Sequence, residues 1–165
     1  MVKYNITFAF LFVFCMNFTF AASGYVKIDV NLSPAGSFSA KSKKIKGNAF
    51  FKDKKIQATD VEVNTEEFET GIELRDEHFK KRLQSKKYPT AKMTDIEGSN
   101  GKGQGTLHLM GKKTKIKFKY KVSKKKNMAK AKFKLNIKEY GIKDVSYMGV
   151  GVEDSVSVLV VLPIK

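Results

Sequence analysis

Lys115 to Val122 reads KIKFKYKV, with lysine at every odd position and Ile116, Phe118, Tyr120 and Val122 at every even one. A period of two throws successive side chains to opposite faces of an extended chain, whereas an amphipathic helix needs a spacing of 3.6. The stretch is therefore a strand with a charged wall on one side and an apolar wall on the other. MAKAKFKLNIKEYG repeats the device, setting Ala131, Phe133, Leu135 and Ile137 against Lys130, Lys132, Lys134 and Lys138. QGTLHLM joins the first of these strands through Gly111, and SKKKN is the polar turn between the two. In DSVSVLVVLP, Val156, Val158, Val160 and Leu162 form one face, while Leu159 and Val161 make the other partly apolar. That last strand is expected to be covered on both sides, with a helix as the candidate cover. A glycine-punctuated loop, Gly141 to Gly151, precedes it.

The earlier part of the chain follows the same rule less strictly. YVKIDVNL, Tyr25 to Leu32, alternates Val26, Ile28, Val30 and Leu32 with mostly polar residues before Pro34 and Gly36 break the run. Ser37 to Phe51 fits one or two strands, and KIQATDVEVN changes phase between Ala58 and Val61, which a bulge near Thr59 would reconcile. A single helix is expected in GIELRDEHFKKRLQ. Thr70 with Glu73 three places on forms a capping-box pattern, and Ile72, Phe79 and Leu83 share a face. Asp76 with Lys80 and Glu77 with Lys81 are i,i+4 pairs, each contributing about 0.2 to 0.5 kcal/mol. Tyr88-Pro89 returns the chain to extended geometry, because proline disfavours helix in the residue before it. The fold class is all-β with one short helix. Seven to nine alternating strands joined by short turns indicate an antiparallel barrel or a two-layer sandwich.

The N-terminus belongs to a different regime. MVK precedes nine apolar residues, Phe8 to Met16, followed by Ala21, Ala22 and Ser23. This is the build of a secretory signal peptide, and Asn17 ends the run well short of the about 20 residues a membrane span needs. Residues 1–22 are read as the leader and 23–165 as one domain, with retention of the leader as an anchor the alternative. The expected location is periplasmic or secreted. Cys15, the one cysteine, falls in the leader behind Val13 and Phe14, so the exported domain has neither disulfides nor a thiol nucleophile.

Charge separates along the chain. The formal net charge is +16. Half of the 16 acids lie between Asp60 and Glu77, whereas Gly98 to Lys138 holds fourteen lysines and no acid. Such a field attracts an anionic membrane or envelope surface. Nucleic acid is not expected as a partner, because Arg75 and Arg82 are the only arginines and no base-stacking motif is present. Catalytic chemistry is poorly provided for: His78 and His108 are the only imidazoles, and no phosphate-binding glycine loop or nucleophile elbow occurs. Arg75, Asp76 and His78 come nearest to a constellation. Their expected role is structural, with Arg75 and His78 bonding loop carbonyls to seat the helix, and His108 facing outward. Neither enzymatic activity, a cofactor nor a metal is expected.

Thr70 to Met93, TGIELRDEHFKKRLQSKKYPTAKM, resembles the YceI-like family of exported lipid-binding proteins, in which a Thr-Gly, an Arg-Asp-x-His and an aromatic-Pro occur at closely similar spacing. GTLHLMGKKTKIKF, KEYGI and GVEDSVSVLVVLP continue the resemblance in the family's order, so that it covers Leu32 to Pro163. Thr70, Arg75, Asp76, His78, Tyr88 and Pro89 are the motif positions it carries over, with a structural role. The chain departs in its first strand pair, which lacks the family's tryptophan, and ahead of the Tyr140-Gly141 turn, where Ile137 or Lys138 stands in place of an arginine.

The resemblance implies an antiparallel eight-stranded lipocalin-like β-barrel, capped by a helix, that binds a long-chain amphiphilic lipid such as a polyisoprenoid or a quinone-like molecule. The inward phases of the strands then nominate the cavity lining as Leu107, Leu109, Phe118, Tyr120, Phe133, Leu135, Val156, Val158 and Val160. Burying about 500 Å² of tail at about 25 cal/mol/Å² would contribute on the order of 12 kcal/mol before association costs, so the tail rather than the lysines would supply most of the affinity. The alternative is a cationic envelope-surface interaction protein with a filled core and no ligand. A homodimer is the self-association considered.

Overall fold

The computed structural model describes residues 23–34, 36–53, 55–143, 145–147 and 150–165; the leader expected over 1–22, with Cys15, lies outside the described residues. Among these residues thirteen strand segments and one α-helix occur in the order β1 (Tyr25–Ser33), β2 (Ser37–Ser42), β3 (Ile45–Lys46), β4 (Ala49–Lys52), β5 (Lys55–Ala58), β6 (Val61–Asn64), α1 (Glu73–Arg82), β7 (Thr90–Ser99), β8 (Lys102–Leu109), β9 (Lys112–Ser123), β10 (Met128–Asn136), β11 (Ser146–Tyr147), β12 (Val150–Val152) and β13 (Ser155–Pro163). All the ladders between them are antiparallel.

The segments reduce to eight strand positions in a curled lipocalin-like sheet. β2, β3 and β4 form one bent position: β2 pairs with β1, whereas β3 and β4 pair with β6 and β5. β5 and β6 form the next, interrupted at Thr59 and Asp60, and both halves pair with β7. The interruption falls where the sequence changes phase, and it lets Ile56, Val61 and Val63 all turn inward and be buried. From there a meander runs through β7, β8, β9, β10 and β13, and β13 pairs back onto β1, with Val26 opposite Val160. The extra pieces, β11 and β12, lie in the stretch expected to be a loop, and β12 extends the end of β1 through Leu32 and Val152.

Turn chemistry fixes the register. Asn100-Gly101 and Met110-Gly111, which close the β7–β8 and β8–β9 hairpins, both have positive φ at each position, as a two-residue hairpin turn matching the strand twist requires. With register set, the alternation sorts the wall. Ile116 and Phe118 are buried, and Lys115, Lys117 and Lys119 are exposed. The last strand is covered on both faces at Val161, which is only 2% exposed. The helix is not its cover: Val161 lies opposite Tyr25 and Lys130, towards the Pro163 end of the sheet, while α1 leads through Pro89 into β7 at the other end.

Candidate functional site

The inner faces of these strands enclose an apolar cavity of about 130 Å³. Eight of the nine residues nominated from sequence stand on its wall: Leu107, Leu109, Phe118, Tyr120, Phe133, Leu135, Val158 and Val160. Val156 does not. It is buried opposite Leu135, beside the start of β13, outside the lining. The wall also includes Val26 and Ile28 from β1, Ile56 and Ala58 from β5, Met93 and Ile96 from β7, and Phe68, all missed from sequence. The phases of β1 and β5 already placed the first four inward; Phe68, in an irregular segment, had no periodicity to mark it.

Two glycines explain how large aromatics line the wall without closing it. Gly103 lies directly across the ladder from Phe118, and a Cβ there would fall 2.3 Å from Phe118 Cε2. At Gly98 a Cβ would fall 2.7 Å from Tyr120 Cε1. Both rings therefore lie against bare backbone rather than across the interior.

The wall has a seam. The β9–β10 ladder pairs Met128 with Ser123 and continues to Lys132 with Lys119, where it stops, although both strands run on. Outside this point lies an open trough lined by Lys55, Lys102, Lys117, Lys119, Lys132 and Lys134, and its lining also includes Phe118 and Phe133. The two rings are thus shared between the trough and the cavity. Ion pairs elsewhere join Lys27 to Asp29, Lys44 to Glu67, Lys92 to Asp60 and Glu62, and Lys138 to Asp154. None of the six trough lysines takes part in them. Glu97, the one acid in the trough, accepts a hydrogen bond from Gln104 Nε2 at 3.1 Å.

The opposite end is closed by α1 and the segments around it. Phe79 meets Phe68 edge-on, with ring centroids 5.6 Å apart, and the Arg75 guanidinium sits 4.7 Å from the centre of the Phe38 ring. Arg75 also donates to the Thr70 carbonyl at 2.9 Å, as a seating role requires. The capping box does not form as expected. Asp76, not Glu73, accepts the Thr70 N–H, at 2.6 Å, and the Thr70 hydroxyl as well. Asp76 forms no direct ion pair with Lys80 among the described residues, although the Lys80 charge helps to lower its pKa. Glu77 and Lys81 likewise form none among the described residues. Ile72 occupies the N-cap position and is 54% exposed, so it leaves the apolar face to Phe79 and Leu83.

Tyr88-Pro89 is fixed by a residue the sequence reading passed over. Thr65, 1% exposed, donates its hydroxyl to the Tyr88 carbonyl and its N–H to that of Pro89, both at 2.8 Å. Ser85 then donates to the Thr65 carbonyl at 3.2 Å. His78 is exposed and makes no hydrogen bond among the described residues, contrary to its expected seating role. His108 lies on the outer face, 3.3 Å from the Thr94 hydroxyl, and no group of metal-ligating side chains occurs among the described residues.

Hydrogen bonding from Thr70 holds the Asp76 carboxyl below its ordinary value of 3.8. A lowered folded-state pKa contributes stability that is complete above the unfolded value and is lost as pH falls through the folded one. Asp76→Ala is expected to cost about 1 kcal/mol at pH 7, comparable to losing a helix cap. The difference from the parent should shrink below about pH 3.8, where the parent loses the same interaction. Urea unfolding at pH 7 and at pH 2.5 measures both; a gap that does not narrow in acid would show that the carboxylate form is not what holds Thr70.

The YceI-like domain pattern matches residues 17–163. Among solved structures, BcnA from Burkholderia cenocepacia is similar with a TM-score of 0.66 at 14% identity, over 84% of this chain and 94% of that one. A polyisoprenoid binding domain from Saccharophagus degradans, implicated in plant cell wall breakdown, is similar with a TM-score of 0.55 at 11% identity, over 84% of this chain and 91% of that one. No curated protein sequence matches the chain. At these identities the two structures show the shared fold alone.

Proposed function

The chain belongs to the YceI-like domain family, and from that premise we propose that it is a non-enzymatic binding protein that carries or sequesters a long-chain amphiphilic lipid, polyisoprenoid or quinone-like, with the tail in the sheet's cavity. The observation that carries this reading is the predominantly apolar lining, to which inward positions of β1, β5, β8, β9, β10 and β13 all contribute. The polyisoprenoid-binding domain of the same fold supports the choice of ligand class. The leader pattern in residues 1–22 supports a periplasmic or secreted location.

An apolar cavity of about 130 Å³ is close to the size that takes a benzene-sized guest. A long tail must therefore spread the wall as it enters. Delipidated protein exposed to a polyprenol and quinone mixture at micromolar concentration should retain one lipid per chain in native mass spectrometry. Recovery of only the bare chain after such loading would remove the carrier reading.

A second reading rests on the exposed lysines of β9 and β10, which suit attachment to an anionic membrane or envelope surface. It differs in its response to salt: surface attachment disappears as ionic strength rises, whereas uptake of a tail persists.

A further inference from the structure

We propose that the seam between β9 and β10 is a lateral portal, and that the lysines around it hold the phosphate or diphosphate head of an anionic lipid whose tail passes Phe118 and Phe133 into the cavity. This rests on the lipid-binding reading and goes beyond it by assigning the entry route and the chemistry of the head.

Three observations converge on the seam. The first is the end of the ladder at Lys132 and Lys119, so that widening the wall beyond that point breaks no further β9–β10 pair. The second is that Phe118 and Phe133 are the residues common to the trough and the cavity linings. Gly103 leaves the Phe118 ring against the β8 backbone, on the side away from β10. A tail therefore has to displace side chains at this point, not a strand.

The third observation is electrostatic. Lys119 stands directly across the ladders from Lys132 on one side and from Lys102 on the other. Like charges directly opposite one another destabilise a sheet. The counter-charges near this row are fewer than its lysines: Glu97 is the acid among the trough residues described, against six lysines, and Asp29, which also acts on Lys132, is bonded first to Lys27 and Ser39. A row of like charges that its own counter-charges compensate only in part marks a place where an outside partner completes the arrangement. A lysine ammonium is a compact point charge with three donors, suited to a phosphate whose orientation is fixed by its tail. A phosphate or diphosphate supplies at least two negative charges across this row while the apolar part continues inward.

The test compares a polyprenyl phosphate with the polyprenol of equal length, at low and at high salt, on the parent chain and on the Lys119→Glu/Lys134→Glu variant. The first substitution sets a carboxylate opposite Lys102 and Lys132, exchanging repulsions for attractions, and the second replaces an ammonium of the trough lining by a carboxylate; a melting curve matching the parent's shows that the variant is folded.

The parent should prefer the phosphate by about tenfold or more at low salt, and the variant should lose that preference while retaining the polyprenol as before. Equal retention of both lipids by the parent, or an undiminished preference in the variant, would overturn the portal and leave the carrier reading standing. Retention of neither lipid by the parent would remove both. Inorganic diphosphate should displace the lipid phosphate only weakly; displacement at equal concentration would assign the lysines to a free anion instead.

Discussion

Replacing Ala131 with phenylalanine is expected to empty the protein of lipid while leaving it folded. Ala131 stands on the cavity wall between Tyr120 and Val160, its cross-strand neighbours on β9 and β13, and all three side chains line the same space. A ring introduced there projects into about 130 Å³ of apolar volume. Excluding about 100 Å² of tail from burial at about 25 cal/mol/Å² removes about 2.5 kcal/mol, or roughly 70-fold in affinity. Overpacking a tight core costs about 1 to 3 kcal/mol, and a hollow site lies at the low end of that range. Lipid retention and thermal unfolding, measured on the same preparation, separate the two effects. A variant that binds lipid as the parent does would show that the tail lies elsewhere.

The largest loss of stability is expected from Phe68→Ala. Phe68 is 2% exposed, meets Phe79 of the helix edge-on and forms part of the cavity wall, so it joins the helical end of the molecule to its interior. Truncating a buried phenylalanine costs about 3 to 5 kcal/mol, a large share of the about 5 to 15 kcal/mol that keeps a domain folded. In a domain of this length the melting temperature should fall by roughly 10 to 15 °C. Phe51→Ala is the matched control, because Phe51 is 56% exposed and its loss should barely move the transition. A small shift for Phe68→Ala would mean that the helix is held without it, through Arg75 on Phe38 and the Thr65 hydrogen bonds.

How far the sequence foretold this arrangement depended on periodicity. Where alternation was strict, as in β9, β10 and β13, it predicted strand, phase and inner face together, because a strand has no other way to place Phe118 and Lys117. Val156 escaped that logic: its phase is correct, but its depth along the barrel lies beyond the wall, and phase carries no information about depth. The eight strand positions were legible through the resemblance, whereas the bend that divides the second of them into β2, β3 and β4 was not, since Ser37 to Phe51 has no clean period. The helix was found and its cap misassigned. Asp76 reaches back to Thr70 only because the chain turns there through Gly71, which has positive φ and open space around its Cα. Thr65 and Ser85 left no trace in any pattern, because their partners are the carbonyls of Tyr88 and of Thr65 itself, and a side chain bonded to backbone imposes no requirement on the identity of its partner.

The contact between Val26 and Val160 also governs how the molecule comes into being. Its two partners enter the world at nearly opposite ends of the polymer, so this is the ladder that no nearby stretch of chain can supply. A topology of this kind assembles on the slow side, in milliseconds to seconds, since loop-closure entropy must be overcome before the final ladder rewards it. Until then the greasy faces of the nascent meander stand bare to solvent, while the lysines on their backs give neighbouring unfinished copies like charges that repel.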